Sequence, residues 1–580
     1  ATSTAAAGAT GITGTTSGFE TLIGGIGSSD TLNATSGVNT LSVASDGVTT
    51  VDTSLTVSAF ETINLGASND SATFSGAFNG TVDLGDGGDT ATINGGGSVT
   101  SLVAGAGTDT LNLDGAANSI TITGTGAGTT AGTSGGTTTF SGFESVNGLG
   151  GTDAFTVDKA STSTITIDGG DGTDSLSVAS SDPAANNLTI SGAGSGALGN
   201  VTFAGIESIA LGSGGDTATV TTGSLSGNLN LGDGSNSLTI SGGSSSIGSY
   251  TGGTGNDSVT LSGGDVTGAI DLGGGTNTLL ISSTGSTVGG AVTFGSGTAD
   301  TLSYAGYGNA VSVTLSGISS NAGATTSGGA TGISGIVSGF ETLTGSSNSD
   351  SLVASAADNT LILTGANKGT VDGLNFSSFE NVDLAAGNDT AQFTSGDSLS
   401  GKLAGGDGID ALDYSAYGSA VVVNLATGTA TATGGISGFE TVLGSSGNDT
   451  ITASTSGEVN LQGNGGNDTF NVTVAGLTSG DTIAGGDGSD RIVFTDAGTI
   501  NDAQFTNVTT VETVTLTGAS TINLGSEANE AGIATINTGN GATTVNSTAA
   551  GYDLTVNATS LGDGNSLTLT GNAATNDFTV

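Results

Sequence analysis

Apolar and polar residues alternate in short bursts along this chain. Leu111 and Leu113 are set between Thr110, Asn112 and Asp114, Ile120 and Ile122 between Ser119, Thr121 and Thr123, and Leu238 and Ile240 flank Thr239. A period of two, bounded by Gly, Asn and Asp, predicts short strands with one buried face. The turn residues between bursts recur at steps near twenty: Asp70, Asp89, Asp109; then Asp216, Asn236, Asp257, Asn277, Asp300; and again Asp449, Asp468, Asp490. A fixed step of this size is what stacked repeats produce. The expectation is an all-β chain folded as an elongated parallel β-solenoid, a β-roll or β-helix with rungs of about twenty residues.

A second motif overlies the first. Phe19-Glu20, Phe60-Glu61, Phe143-Glu144, Phe340-Glu341, Phe379-Glu380 and Phe439-Glu440, with Ile206-Glu207 as a variant, are each followed nine or ten residues later by Asp; Val511-Glu512 lacks the Asp. A fixed offset demands a shared register, so these Phe should point inward. The Glu has two readings, a hydrogen bond to a neighbouring rung's backbone or exposure to water. Residues 124–139 and 316–332 lack alternation and read as surface loops.

A longer duplication repeats Asp300, Leu302, Tyr304, Tyr307, Val311 and Val313 as Asp410, Leu412, Tyr414, Tyr417, Val421 and Val423; the first copy is eleven residues longer before its Phe-Glu. The tyrosines read as core stacking or as an exposed contact patch. Residues 1–510 form one repetitive region. Residues 511–580 keep strand alternation, as in Leu554-Thr555-Val556, but lose the Gly-rich turns, and read as a possible assembly end. An uncapped sheet edge there would dock head-to-tail on another copy.

Composition narrows the chemistry. Of 580 residues, 108 are Gly and one is Pro, too little helix-forming material for long helices. Acids outnumber bases 51 to 4, for a net charge of −47. That excludes nucleic acid and anionic membrane surfaces as partners and invites cations. With no His and no Cys, imidazole and thiolate metal sites, disulfides and Ser-His or Cys-His nucleophiles are all excluded. No apolar run approaches the ~20 residues of a membrane span. Heavy use of Thr, Ser and Asn with little Lys and no Met suits exported material, placing the chain outside the cell, at the surface.

The turns themselves carry a motif. Gly169-Gly170-Asp171-Gly172-Thr173-Asp174, Gly405-Gly406-Asp407-Gly408-Ile409-Asp410 and Gly485-Gly486-Asp487-Gly488-Ser489-Asp490 fit G-G-x-G-x-D, and Gly252 to Asp257 fits too. Here the chain resembles the repeats-in-toxin (hemolysin-type calcium-binding) secreted bacterial surface proteins, although its motifs come once per rung rather than in tandem. The resemblance implies Ca²⁺ held between rungs by Asp171, Asp174, Asp257, Asp407, Asp410, Asp487 and Asp490. Asp86, Asp89, Asp109, Asp449 and Asp468 are further candidate metal ligands, the last four on the ladder spacing. The plainer reading is that Asp and Asn cap tight turns.

The leading functional expectation is a non-catalytic extracellular structural protein, stabilised by calcium, whose copies self-associate into a filament, sheath or surface layer. An adhesin or binding module, with surface glycans as possible partners, and a secreted polysaccharide-active enzyme are the alternatives.

Overall fold

A computed structural model describes residues 21–25, 30–34, 36–52, 55–124, 126–132, 136–158, 164–180, 182–319, 323–547, 553–571 and 578–579. The chain is a β-solenoid with 51% strand and 2% helix. Helix among the described residues is confined to the 3-10 turn Asp502–Phe505 and the α-turn Ser526–Glu530. It divides into two compact units. One holds the described residues up to Asp300 together with Gly332–Val337; the other holds Thr301–Thr331 and the residues from Ser338 onward.

In the first unit each rung supplies a strand to each of two sheets. Ser71–Phe74, Thr90–Ile93, Thr110–Asn112, Ser145–Asn147, Ile165–Asp168 and Val201–Ala204 pair in parallel along one. Thr31–Asn33, Thr62–Asn64, Ala77–Gly87, Ser98–Gly107 and Thr137–Ser141 do the same along the other. Parallel in-register stacking sets apolar residues above their equivalents, so Ala91, Leu111, Val146, Ile167 and Phe203 form one buried file. Alternate residues face outward, mostly Ser, Thr and Asn.

The parallel stack is interrupted by three-stranded antiparallel meanders, and two of them occupy the stretches 124–139 and 316–332 whose lack of alternation reads as surface loop. Residues 124–139 contribute Ala127–Gly132 and most of Thr137–Ser141, with Ala127–Gly132 antiparallel to both Asn118–Gly124 and Thr137–Ser141. Residues 316–332 contain the end of Ser312–Ser319 and the whole of Gly323–Thr326, again antiparallel. Glycine hides such strands from an alternation test, and a facing aromatic ring restores the missing packing. Gly128 lies opposite Phe140, Gly196 opposite Phe203 and Gly369 opposite Phe376.

Meanders alternate between the two sheets of the first unit. Thr40–Val43, Thr49–Val51 and Leu55–Ser58 form one in the first sheet, and Asn118–Gly124 begins one in the second. Asn187–Gly192, Ser195–Leu198 and Val201–Ala204 form the next, in the first again. The second unit repeats the scheme, with Thr360–Gly365, Lys368–Val371 and Leu374–Ser377 as its clearest case. Pairing continues across position 510, where Arg491–Phe494 runs parallel to Thr513–Leu516. The change of turn composition at 511 therefore leaves the sheet intact.

Phe143, Phe340, Phe379 and Phe439 are buried, as are the variant positions Ile206 and Val511. Phe60 is half-buried, and Phe19 lies outside the described residues. Tyr304 and Tyr414 are core residues, each edge-on to its neighbour Tyr307 or Tyr417, with ring centroids 5.8 and 5.6 Å apart.

Candidate functional site: a buried carboxylate ladder

The repeating aspartates form columns in which every member is held by the rung before it. The backbone N–H of Asn39 donates to Asp70 Oδ1 (2.6 Å), that of Asp70 to Asp89 Oδ1 (2.7 Å), and that of Asp89 to Asp109 Oδ1 (2.7 Å). Asp109 then donates to Glu144 Oε2 at 2.8 Å. Further columns run from Asn118 through Asp153 and Asp174 to Glu207, and from Asn359 through Asp389 and Asp410 to Glu440. Val421, Asp449, Asp468, Asp490 and Glu512 form another.

This answers the question the Phe-Glu pairs posed. Glu ends a column at the rung where a meander rejoins the stack, or, at Glu512, where a short loop does. There the residue before the aromatic or Ile bends the chain through left-handed φ, as at Gly142 (+84°) and Gly205 (+63°). The six-residue Gly turn is absent there, and the longer Glu side chain brings Oε2 to the N–H of the preceding ladder Asp. The backbone answers in kind, because the N–H groups of Glu144 and Ser145 both donate to Asp109 O.

Asn opens columns for a complementary reason. Its amide donates to carbonyls, as Asn39 Nδ2 does to Gly37 O and Leu65 O. A carboxylate cannot do this. The sequence reading missed Asn39, Asn118 and Asn359 as ladder members, although each follows an Asp by nine residues.

The candidate metal ligands fall into two populations. Asp89, Asp109, Asp174, Asp257, Asp410, Asp449, Asp468 and Asp490 are buried ladder members with Oδ1 engaged by an N–H. Asp86, Asp171, Asp407 and Asp487 are exposed. Their backbones pair with Ala67, Gly150, Ala386 and Gly465 of the preceding rung, so none stacks there on another acid. Among the described residues, no three acidic side chains converge where an ion could be shared.

Desolvation, opposed by the ladder N–H, holds several of these buried carboxyls above their ordinary range. The effect raises Asp89, Asp109, Asp410 and Asp490, and takes Asp257 and Asp468 up to about 7. Neighbouring Asp449 and Asp490 push Asp468 further in the same direction. No family model and no curated protein matches this chain.

Proposed function

We propose that the chain is an extracellular structural protein, a non-catalytic scaffold that associates with copies of itself into a filament, sheath or layer. One observation supports this best: the recurrent acids, which would be the raw material of acid-base catalysis, serve to stack rung on rung. The outer strand faces are rows of short polar residues. Thr166 and Thr202 share a hydroxyl hydrogen bond, and Asn147 donates to Asn112 across rungs. Such flat, repetitive faces suit lateral contact between identical surfaces. Divalent cations, calcium foremost, act in this reading as counter-ions for the exposed acids.

Electron microscopy of the purified chain with and without calcium tests the reading. Ordered polymers or sheets support it. Dispersed particles that retain an immobilised glycan would favour the adhesin, and turnover of a polysaccharide would favour the enzyme.

A further inference from the structure

In the same columns, Asn and Asp present different atoms to one place. Asn236 donates its Nδ2 to Gly252 O (3.0 Å), Asn359 to Leu384 O (3.0 Å) and Asn39 to Leu65 O (2.7 Å). Each acceptor is the carbonyl five residues ahead of the next ladder member. At the ladder aspartates whose Oδ2 accepts no N–H, among them Asp257 and Asp468, that oxygen takes the place of the amide nitrogen. A Cβ placed on Gly252 would lie 2.4 Å from Asp257 Oδ2 and 2.8 Å from Leu272 O. One on Gly463 would lie 2.1 Å from Asp468 Oδ2 and 2.4 Å from Gly485 O. Leu272 and Gly485 again stand five residues ahead of the next ladder members, Asn277 and Asp490. Carboxyl oxygen and carbonyl oxygen thus border the same point beside each glycine, and both Oδ2 atoms are buried without a hydrogen-bond partner. Two acceptors facing each other in a buried site repel unless a proton lies between them.

We propose that Asp257 and Asp468 are carboxylic acids in the folded chain, each donating its Oδ2 proton to the next rung's carbonyl, so that the stack locks in acid and loosens when these protons pass to solvent. Asp257 isolates the effect of burial, since its ladder neighbours Asn236 and Asn277 are neutral and the titratable group facing it is the buried Tyr250. Asp468 adds the carboxyls of Asp449 and Asp490 on either side, while Arg491 faces outward and donates Nε to Thr469 Oγ1. Burial of both groups agrees with their raised proton affinity. The proton is kept above the 3.8 at which the unfolded chain releases it. Stability is therefore full below 3.8 and declines as pH rises toward about 7.

Melting of the full chain at about pH 4 and about pH 8 tests this through Asn substitutions, which supply a permanent donor. Asp257→Asn and Asp468→Asn should raise Tm at the higher pH, leave it unchanged at the lower, and flatten the pH dependence. Two controls separate other causes. Asp171→Asn removes an exposed charge and should leave the pH dependence as it was. Asp449→Asn should lower Tm at both pH values, because Asp449 Oδ2 accepts the Ser445 N–H and an amide would oppose it. The folded chain at intermediate pH should also show a protonated-carboxyl infrared band that weakens in the Asp257→Asn, Asp468→Asn double variant. The proposal is overturned if Asp257→Asn and Asp468→Asn lower Tm at high pH, if Asp171→Asn raises it equally, or if the double variant leaves the band unchanged.

Discussion

Glycine decides at single positions whether the ladder can form. At Gly463 any Cβ would meet both the Asp468 carboxyl and the next rung's carbonyl. At Gly105, φ is +102° and a Cβ would lie 1.8 Å from Gly85 O. The first case is crowding against a carboxyl group, the second against backbone with left-handed φ in addition. Gly463→Ala should cost about 1–3 kcal/mol, as overpacking of a tight interior does. Gly115→Ala, with nothing within 4 Å of the new methyl, should leave stability unchanged. Equilibrium denaturation of the two variants provides the comparison, and equal midpoints would contradict the crowding argument.

Elements are joined by the columns, and their terminal glutamates can be tested without touching the core. Glu144→Ala leaves the partly buried Asp109 N–H without its acceptor, and should cost about 1–3 kcal/mol. Glu144→Gln keeps an acceptor at the same reach and should cost much less, whereas Glu144→Asp is too short and should resemble the Ala variant. Thermal melting of the three ranks them, and equal losses in Gln and Ala would show that charge rather than reach matters. Much at this scale could be read in advance. The twenty-residue step gave the parallel rungs, and the fixed Phe-Glu offset gave the inward Phe143, Phe340, Phe379 and Phe439. The meanders escaped because Gly128, Gly196 and Gly369 break the apolar alternation that marks a strand, their packing being supplied by phenylalanines on a neighbouring strand. Their trace was nonetheless present: the ladder step lengthens from 20 residues between Asp89 and Asp109 to 35 between Asp109 and Glu144. The buried position of the last Asp in each Gly turn was not legible, because the same six residues suit a calcium loop and a hydrogen-bonded turn. Only the neighbouring rung's N–H distinguishes them.

Charge acts on the whole molecule. With 51 acids and four bases, the folded chain repels itself, and exposed acids such as Asp86 and Asp407 are set against Ala67 and Ala386 of the preceding rung rather than against another acid. Repulsion of this kind is spread over the surface and is screened beyond roughly 8 Å at physiological ionic strength. Removing divalent cations in low salt at neutral pH should therefore lower Tm and enlarge the hydrodynamic radius. Restoring ionic strength with sodium chloride, or supplying magnesium, should recover most of the loss. The ladder contributes little to this response, since its Oδ1 atoms stay bonded to backbone N–H groups whatever the salt. Recovery with calcium alone, at matched ionic strength, would instead place ions in the Gly turns, with Asp171, Asp407 and Asp487 as the first substitutions to make. The expected order is that calcium and magnesium act alike at low concentration and sodium catches up near 0.15 M, as dispersed surface charge requires.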